Sequence, residues 1–168
     1  MKHKPLPPLE ELKESLDYNP DTGIFTWIKC RSNNVKVGQE AGTLNTVYRV
    51  VRFNGIFYKG HRLAYYMYHG IDPLEKQIDH KDGDPSNNKI DNLRLATHPE
   101  NGSNRKQSKN KASGKNGVSW YSRTQKWEVY ITASNKRKFL GYFTNKEDAI
   151  KAREEAEIKY YGEFRRQD

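Results

Sequence analysis

One stretch, residues 78–101, constrains this chain more than any other; it reads IDHKDGDPSNNKIDNLRLATHPEN. It opens with a short apolar segment and the adjacent pair Asp79 and His80, crosses a polar segment and returns with a second apolar run. Turn-forming residues between two short apolar segments are typical of a β-hairpin. We therefore predict a strand, a turn, a second strand and a helix that starts at Pro99–Asn101.

Four side chains of this stretch suit a single-metal phosphodiesterase site: Asp79, His80, Asn92 and Asn101. Hydrolysis of a phosphodiester needs a base with a near-neutral pKa and a cation that offsets developing charge. We expect His80 to be the general base and Asn92 to hold its imidazole in the correct tautomer. We expect Asp79 and Asn101 to bind one divalent ion, and their oxygen ligands favour Mg²⁺ or Mn²⁺.

Other interpretations of the same region are weaker. A calcium loop that begins at residue 82 would need glycine at its sixth position and glutamate at its twelfth, where this chain has Asn87 and Leu93. We interpret residues 82–88 as turn residues. His61 is expected to pack in a helix, and His98 suits the site and the surface equally well.

Charge is distributed unevenly along the chain, which has a formal net charge of +9. Residues 1–70 carry 10 Lys and Arg against 6 Asp and Glu, residues 71–101 carry 4 against 7, and residues 102–168 carry 16 against 8. An acidic centre between basic arms fits a metal site held on a nucleic acid. A basic surface that serves only solubility is the alternative.

Several classes of protein are disfavoured. The single cysteine, Cys30, excludes a disulfide within the chain and a cysteine-based zinc site. No apolar run approaches the roughly 20 residues of a membrane span, and the N-terminus lacks a signal-peptide core. We expect a cytoplasmic protein that does not associate with membranes.

The first 70 residues are predicted to be mostly scaffold. Asn54-Gly55 is a strong hairpin signal, and Gly70 ends a helical pattern. The predicted elements are a helix over Pro8–Leu16, strands over Ile24–Ile28, Val47–Phe53 and Ile56–Tyr58, and a helix over His61–Tyr68.

The C-terminal third is predicted to be a basic linker followed by a small module. The module comprises strands over Val118–Tyr121, Lys126–Thr132 and Lys136–Phe143 and then a helix. The pattern Thr144-Asn145-Lys146-Glu147 is that of a capping box, and alanines recur on one stripe of the helix.

Residues 61–105, with HRLAYYMYHG, IDHKDGDPSNNKIDNLRLAT and PENGSNR, resemble the HNH endonucleases of bacteriophages, in particular the intron-encoded homing nickases. The resemblance implies a ββα-metal finger with Asp79 and Asn101 as metal ligands, His80 as general base and Asn92 as the residue that orients it. The final residue of the HNH pattern is here Asn101 rather than His, as in the homing branch.

Residues from Gly117 onwards, beginning GVSWYSRTQKWEVYI, are similar to the Apetala/ethylene-response-factor DNA-binding domain. The two resemblances imply an α+β chain with a nuclease domain over 1–104 (its core at 61–104), a basic linker over 105–116 and a DNA-binding domain over 117–168. The expected contacts to double-stranded DNA are Arg105, Lys106, Lys109, Lys111, Trp120, Arg123, Lys126, Trp127, Lys136, Arg137 and Lys138.

The leading hypothesis is a metal-dependent, homing-type DNA endonuclease that acts as a monomer with one divalent ion per site. A monomer with one site would nick one strand, whereas double-strand cleavage needs two sites or a second binding event. The alternatives are a catalytically inert, sequence-specific DNA-binding regulator and a non-homing phage nuclease.

Overall fold

The structure is a computed structural model that describes residues 4–29, 35–104 and 113–166. In these ranges the protein is mixed α+β, with eleven short strands in four small sheets and four α-helices. It divides into two compact units, Met1–Thr97 and His98–Asp168. None of the helices in the described ranges combines the length and the apolar character that a membrane crossing requires.

The first unit begins with a helix that is shorter than expected. Leu16, predicted to end this helix, instead begins a strand, pairs with Trp27 across a hairpin and is only 1% exposed. The turn of this hairpin starts at Asn19, whose Oδ1 accepts hydrogen bonds from the backbone N–H groups of the next turn residues. Leucines at helical spacing therefore enter one core from two different elements. The elements are α1 (Leu9–Lys13), β1 (Leu16–Asn19), β2 (Ile24–Trp27) and β3 (Glu40–Ala41).

A second antiparallel sheet follows and leads into the longest helix of this unit. The hairpin predicted at Asn54-Gly55 is confirmed, and both residues have positive φ angles, 49° and 77°. Val51, Phe53 and Tyr58 point into the core, where Leu63 of the helix joins them. The elements are β4 (Thr43–Asn45), β5 (Tyr48–Phe53), β6 (Ile56–Lys59) and α2 (Gly60–His69); β3 and β4 were not predicted.

The hairpin predicted around Asp79 is also present. Strand β7 (Gln77–His80) pairs antiparallel with β8 (Leu93–Ala96), and a short 3-10 helix, Ile90–Asn92, precedes β8. The register sets Asp79 opposite Arg94. The hairpin packs on the same core through Ile78.

The second unit contains a sheet of three strands in the order β11-β10-β9 and a helix that packs on one side of it. Val118, Val129 and Ala149 form its buried centre. The predicted capping box is wrong: the helix starts at Lys146 after Asn145, with no capping hydrogen bond from that side chain. The elements are α3 (His98–Ser103), β9 (Val118–Tyr121), β10 (Lys126–Ala133), β11 (Lys136–Phe143), α4 (Lys146–Tyr161) and a 3-10 turn (Gly162–Phe164).

Candidate active site

Asp79 is a buried carboxylate held by the opposite strand. Its side chain is 4% exposed, and Oδ2 accepts from Nε of Arg94 at 2.8 Å and lies 2.7 Å from Nη2 of the same guanidinium. The pair follows directly from the strand register, which sets the two residues face to face. The two-pronged contact is made to one carboxylate oxygen, and charge-assisted hydrogen bonds of this kind are stronger than neutral ones. The sequence contains a signal for this pair, because opposite charges stand at facing positions of the predicted hairpin.

His80 follows Asp79 and is surrounded by polar and aromatic groups. Its Nε2 lies 3.4 Å from Oδ1 of Asn88, and its ring meets the ring of His61 edge to face at a centroid distance of 5.1 Å. Because a carboxamide oxygen only accepts, the Asn88 contact favours the tautomer that carries the proton on Nε2. In that tautomer, Nδ1 carries the lone pair that a general base needs.

Burial lowers the pKa of the His80 imidazole below its ordinary value of 6.5. The hydrogen bond with Asn88 and the nearby carboxylates of Asp82, Asp79 and Asp84 act in the opposite direction but do not outweigh it. Desolvation disfavours the charged form of histidine. The imidazole is therefore neutral at pH 7, which is the form that can accept a proton.

Asn92, which we expected to orient the imidazole, is used by the turn instead. Its Oδ1 accepts from the backbone N–H of Asp82 at 3.0 Å, and its Nδ2 donates to Oδ1 of Asp82 at 3.0 Å and to the backbone oxygen of Asn87 at 2.9 Å. Burial raises the pKa of the Asp82 carboxyl, but the hydrogen bonds donated to it outweigh burial and lower the pKa below 3.8. Asn92 thus clamps the segment that joins the two strands.

Asn88, which we interpreted as an ordinary turn residue, is the amide nearest to His80. Its side chain is 1% exposed, and its backbone oxygen accepts from the hydroxyl of Tyr18 at 2.7 Å. A β-carbon at Gly60 would lie 2.8 Å from Nδ2 of Asn88, and one at Gly23 would lie 2.6 Å from its backbone carbon. Two glycines therefore leave the space that this residue occupies, which no local pattern in the sequence indicated.

The expected metal ligands belong to different units. Asp79 lies on β7 in the first unit and Asn101 lies on α3 in the second, so their convergence on one ion stays a prediction. Within the ranges that the structure describes, no three His, Cys, Asp or Glu side chains cluster as a metal-binding group. One carboxylate and one amide oxygen still suit a hard cation that takes its other ligands from water and phosphate.

The sheet of the second unit has a helix side and an open side, and the register assigns each residue to one of them. Trp127 packs against the core and faces Trp120 across the strands, with ring centroids 5.3 Å apart. Lys138 reaches the ring of Tyr160 on α4 at 4.2 Å. Trp120, Trp127 and Lys138 therefore lie on the helix side, as does Lys136 by its pairing with Ala133. We expected these four residues to contact DNA, and the register sets them on the same side of the sheet as α4.

The open side of this sheet carries an aromatic cluster that the sequence analysis missed. The rings of Tyr130 and Phe139 lie 5.1 Å apart, and those of Phe139 and Tyr142 lie 4.9 Å apart. Tyr121 stacks on Tyr142 at 6.0 Å. Arg137 covers the ring of Tyr130 at 3.8 Å. Once the strand register is known, the cross-strand pairs at every second position set these rings on one side of the sheet.

The remaining predicted contacts fall into three places. Lys126 lies on β10 at a position that alternates with the helix-side residues, and so belongs to the open side. Arg123 lies in the turn between β9 and β10. Arg105, Lys106, Lys109 and Lys111 lie outside the described residues.

Comparison with known proteins identifies a family for part of the chain and one phage relative. The family model described as HNH endonuclease matches residues 58–103, the segment that contains α2, the β7–β8 hairpin and α3. Protein 3.8 of Escherichia phage T7 is 39% identical over an alignment of 84 residues, and the match covers 48% of this chain and 69% of that protein. No solved structure matches the chain. The chain therefore contains an HNH endonuclease domain over residues 58–103 and belongs to the same family as this phage protein.

Proposed function

We propose that the protein is a metal-dependent DNA endonuclease that hydrolyses phosphodiester bonds, as expected for a homing-type phage enzyme. One observation carries the proposal. Within the segment that matches the HNH family, a buried carboxylate and a neutral imidazole occupy successive positions of one strand, Asp79 and His80. Successive strand residues point to opposite sides, so one side chain can hold an ion while the other handles a proton.

In this proposal His80 is the general base. Its Nδ1 takes a proton from the attacking water. Oδ1 of Asn88 lies 3.4 Å from Nε2 and accepts from the Nε2–H group, which keeps the imidazole in this tautomer. General bases of this kind contribute a rate factor of about 10² to 10⁴. Asn92 acts indirectly, because its three hydrogen bonds hold the connection between the strand that carries His80 and the strand that carries Arg94.

Asp79 and Asn101 would hold the divalent ion, Mg²⁺ or Mn²⁺. When bound, such an ion offsets the negative charge that develops on the phosphate and the leaving oxygen. Arg94 has a complementary part, since its guanidinium neutralises the buried Asp79 carboxylate.

The open side of the C-terminal sheet is the surface that we propose for DNA binding by the second unit. It presents Arg137 and Lys126 together with the aromatic cluster of Tyr121, Tyr130, Phe139 and Tyr142. Arginine recognises guanine edges and apolar groups contact thymine methyls in a major groove, which admits β-strands. One catalytic site on a monomeric chain would nick one strand.

The inert DNA-binding regulator is the second candidate, and the Asp79–Arg94 ion pair is the observation that favours it. If Arg94 is the permanent partner of the Asp79 carboxylate, the ion pair itself compensates this buried charge. The β7–β8 hairpin would then fold without a divalent ion. A non-homing nuclease differs from the leading proposal only in cutting many unrelated sequences at similar rates.

Incubation of supercoiled plasmid with the full chain and Mg²⁺ tests the proposal. We expect conversion to open circle, loss of this conversion with EDTA, and loss in His80→Ala. His69→Ala is the matched control, because His69 is an exposed histidine at the end of α2. Binding of the plasmid without conversion in the wild type would support the regulator and overturn the enzyme.

A further inference from the structure

The second sheet of the first unit lies in a part of the chain that has no acidic residue. Residues 41–71 contain four cations and no Asp or Glu. Two of the cations have acidic partners from outside this segment: Arg49 pairs with Glu40, and Arg62 lies 3.1 Å from Asp72. The other two, Arg52 and Lys59, are exposed on the sheet itself.

The pairing of β5 with β6 sets these two cations on the same side of the sheet. Val51 and Tyr58 face each other and are buried, so the residues that alternate with them point outward. Arg52 faces Phe57, which is 58% exposed, and Lys59 faces Val50. The outward side of this pair of strands therefore presents two cations together with an exposed aromatic ring.

Each cation lies over an aromatic ring. Nζ of Lys59 is 4.6 Å from the ring centroid of Tyr48, and the guanidinium carbon of Arg52 is 5.6 Å from that of Phe57. Such contacts hold the charged ends close to the sheet, where they can meet phosphates at defined positions. We call Tyr48, Arg52, Phe57 and Lys59 the β5–β6 face.

The β5–β6 face is connected to the catalytic histidine by aromatic contacts. The ring of His61, in the first turn of α2, lies 5.4 Å from the ring of Tyr48 and 5.1 Å from the ring of His80. Two ring contacts therefore link His80 to Tyr48, and Lys59 lies over the Tyr48 ring. Unlike the C-terminal sheet, this surface belongs to the same compact unit as Asp79 and His80.

We propose that the β5–β6 face binds the DNA duplex next to the phosphate that is cleaved. Its two cations match a polyanion, its rings can pack on sugars and bases, and residues 41–71 contain no carboxylate that would repel a phosphate. This inference rests on the proposed nuclease function, because the site beside the face is the proposed catalytic centre. It assigns a DNA-binding role to a segment that the sequence analysis treated as scaffold.

The salt dependence of DNA binding tests the inference. The full-length protein carries His80→Ala, so that the labelled duplex is not consumed, and fluorescence anisotropy gives Kd over a range of salt concentrations. Added to this background, the double variant Arg52→Ala/Lys59→Ala should bind about tenfold or more weakly, and the slope of log K against log salt should fall by about 2. Phe57→Ala should weaken binding without changing the slope.

The matched control removes two other exposed cations of the same unit, Lys13→Ala/Lys29→Ala, which lie on α1 and after β2. It should leave both Kd and slope near those of the His80→Ala background. Equal behaviour of the two double variants would overturn the inference, as would binding of Phe57→Ala that equals the background. Circular dichroism checks that each variant is folded.

Plasmid nicking by the same substitutions, made with His80 intact, separates this inference from the proposed function. If the wild type does not nick but Arg52→Ala/Lys59→Ala still loses salt-dependent binding, the β5–β6 face stands as a DNA-binding surface and the nuclease proposal fails. If the wild type nicks and the double variant binds and nicks equally well, the nuclease proposal stands and the face is refuted.

Discussion

The side-chain oxygen of Asn88 lies 3.4 Å from Nε2 of His80, although the two residues are eight positions apart in the chain. Asn88 is 1% exposed, and its Nδ2 has no hydrogen-bond partner among the described residues. A buried amide left half-satisfied costs about 1–3 kcal/mol. The contact between Asn88 and the His80 imidazole offers a reason why a buried amide that lowers stability is present here.

Replacement of Asn88 should therefore change the tautomer of His80. In Asn88→Ala we expect the ¹⁵N shifts of His80 to move from an Nε2–H imidazole towards a tautomer mixture, with about a tenfold or larger loss of nicking rate. Asn87→Ala is the control, since that half-buried amide donates to Asp82 at 2.7 Å. Unchanged His80 nitrogen shifts in Asn88→Ala would contradict the assignment.

Replacement of Asn92 should act on stability. Asn92→Ala removes three hydrogen bonds within the turn, and at roughly 1 kcal/mol each we expect the free energy of unfolding to fall by about 2–3 kcal/mol. Urea unfolding measures this loss. A variant as stable as wild type, with a shifted His80 tautomer, would return the orienting role to Asn92.

Removal of Arg94 should leave the Asp79 carboxylate as a poorly compensated buried charge. Arg94→Leu should lower the free energy of unfolding by about 3 kcal/mol, and Mg²⁺ should restore more stability to this variant than to wild type. Arg94→Lys should fall between the two, because a lysine keeps the charge but loses the two-pronged contact. Equal stabilisation of all three proteins by Mg²⁺ would argue against Asp79 as a ligand.

The lowered pKa of His80 makes the free energy of unfolding depend on pH. The unfolded chain protonates this histidine at its ordinary pKa near 6.5, whereas the folded protein does so only at lower pH. The unfolded state binds more protons between these two values, so stability that is present above 6.5 is lost as the pH falls through the folded pKa. Urea unfolding from pH 8 to pH 5 should show a smaller loss in His80→Gln than in wild type. Parallel curves for the two proteins would refute the shift.

Two adjacent cations of β11 lie on opposite sides of the C-terminal sheet, so their replacement tests which side binds DNA. Arg137 lies on the open side over Tyr130, and Lys138 lies on the helix side over Tyr160. Arg137→Ala should weaken duplex binding by about 1–3 kcal/mol, whereas Lys138→Ala should leave it nearly unchanged. The reverse order in an anisotropy assay would assign DNA contact to the helix side.

Local patterns were sufficient for most of the fold. The Asn54-Gly55 hairpin, the β7–β8 hairpin and three C-terminal strands were predictable, because turn residues and alternation act over a few positions. The patterns failed at Leu16, where pairing with Trp27 outweighs the helical spacing of leucines. They also failed for β3 and β4. These strands are short, and they form only through hydrogen bonds to the neighbouring strands.

By itself, the sequence placed Asp79, His80, Asn92 and Asn101 in one short segment, which lies within the span that matches the HNH endonuclease model. Only the tertiary structure decided that Asn88 faces the imidazole, that Arg94 holds Asp79, and which side of each sheet is open. The physical reason is that these contacts join residues distant in the chain. They depend on strand register, on the space left by Gly23 and Gly60, and on burial, none of which a linear pattern encodes.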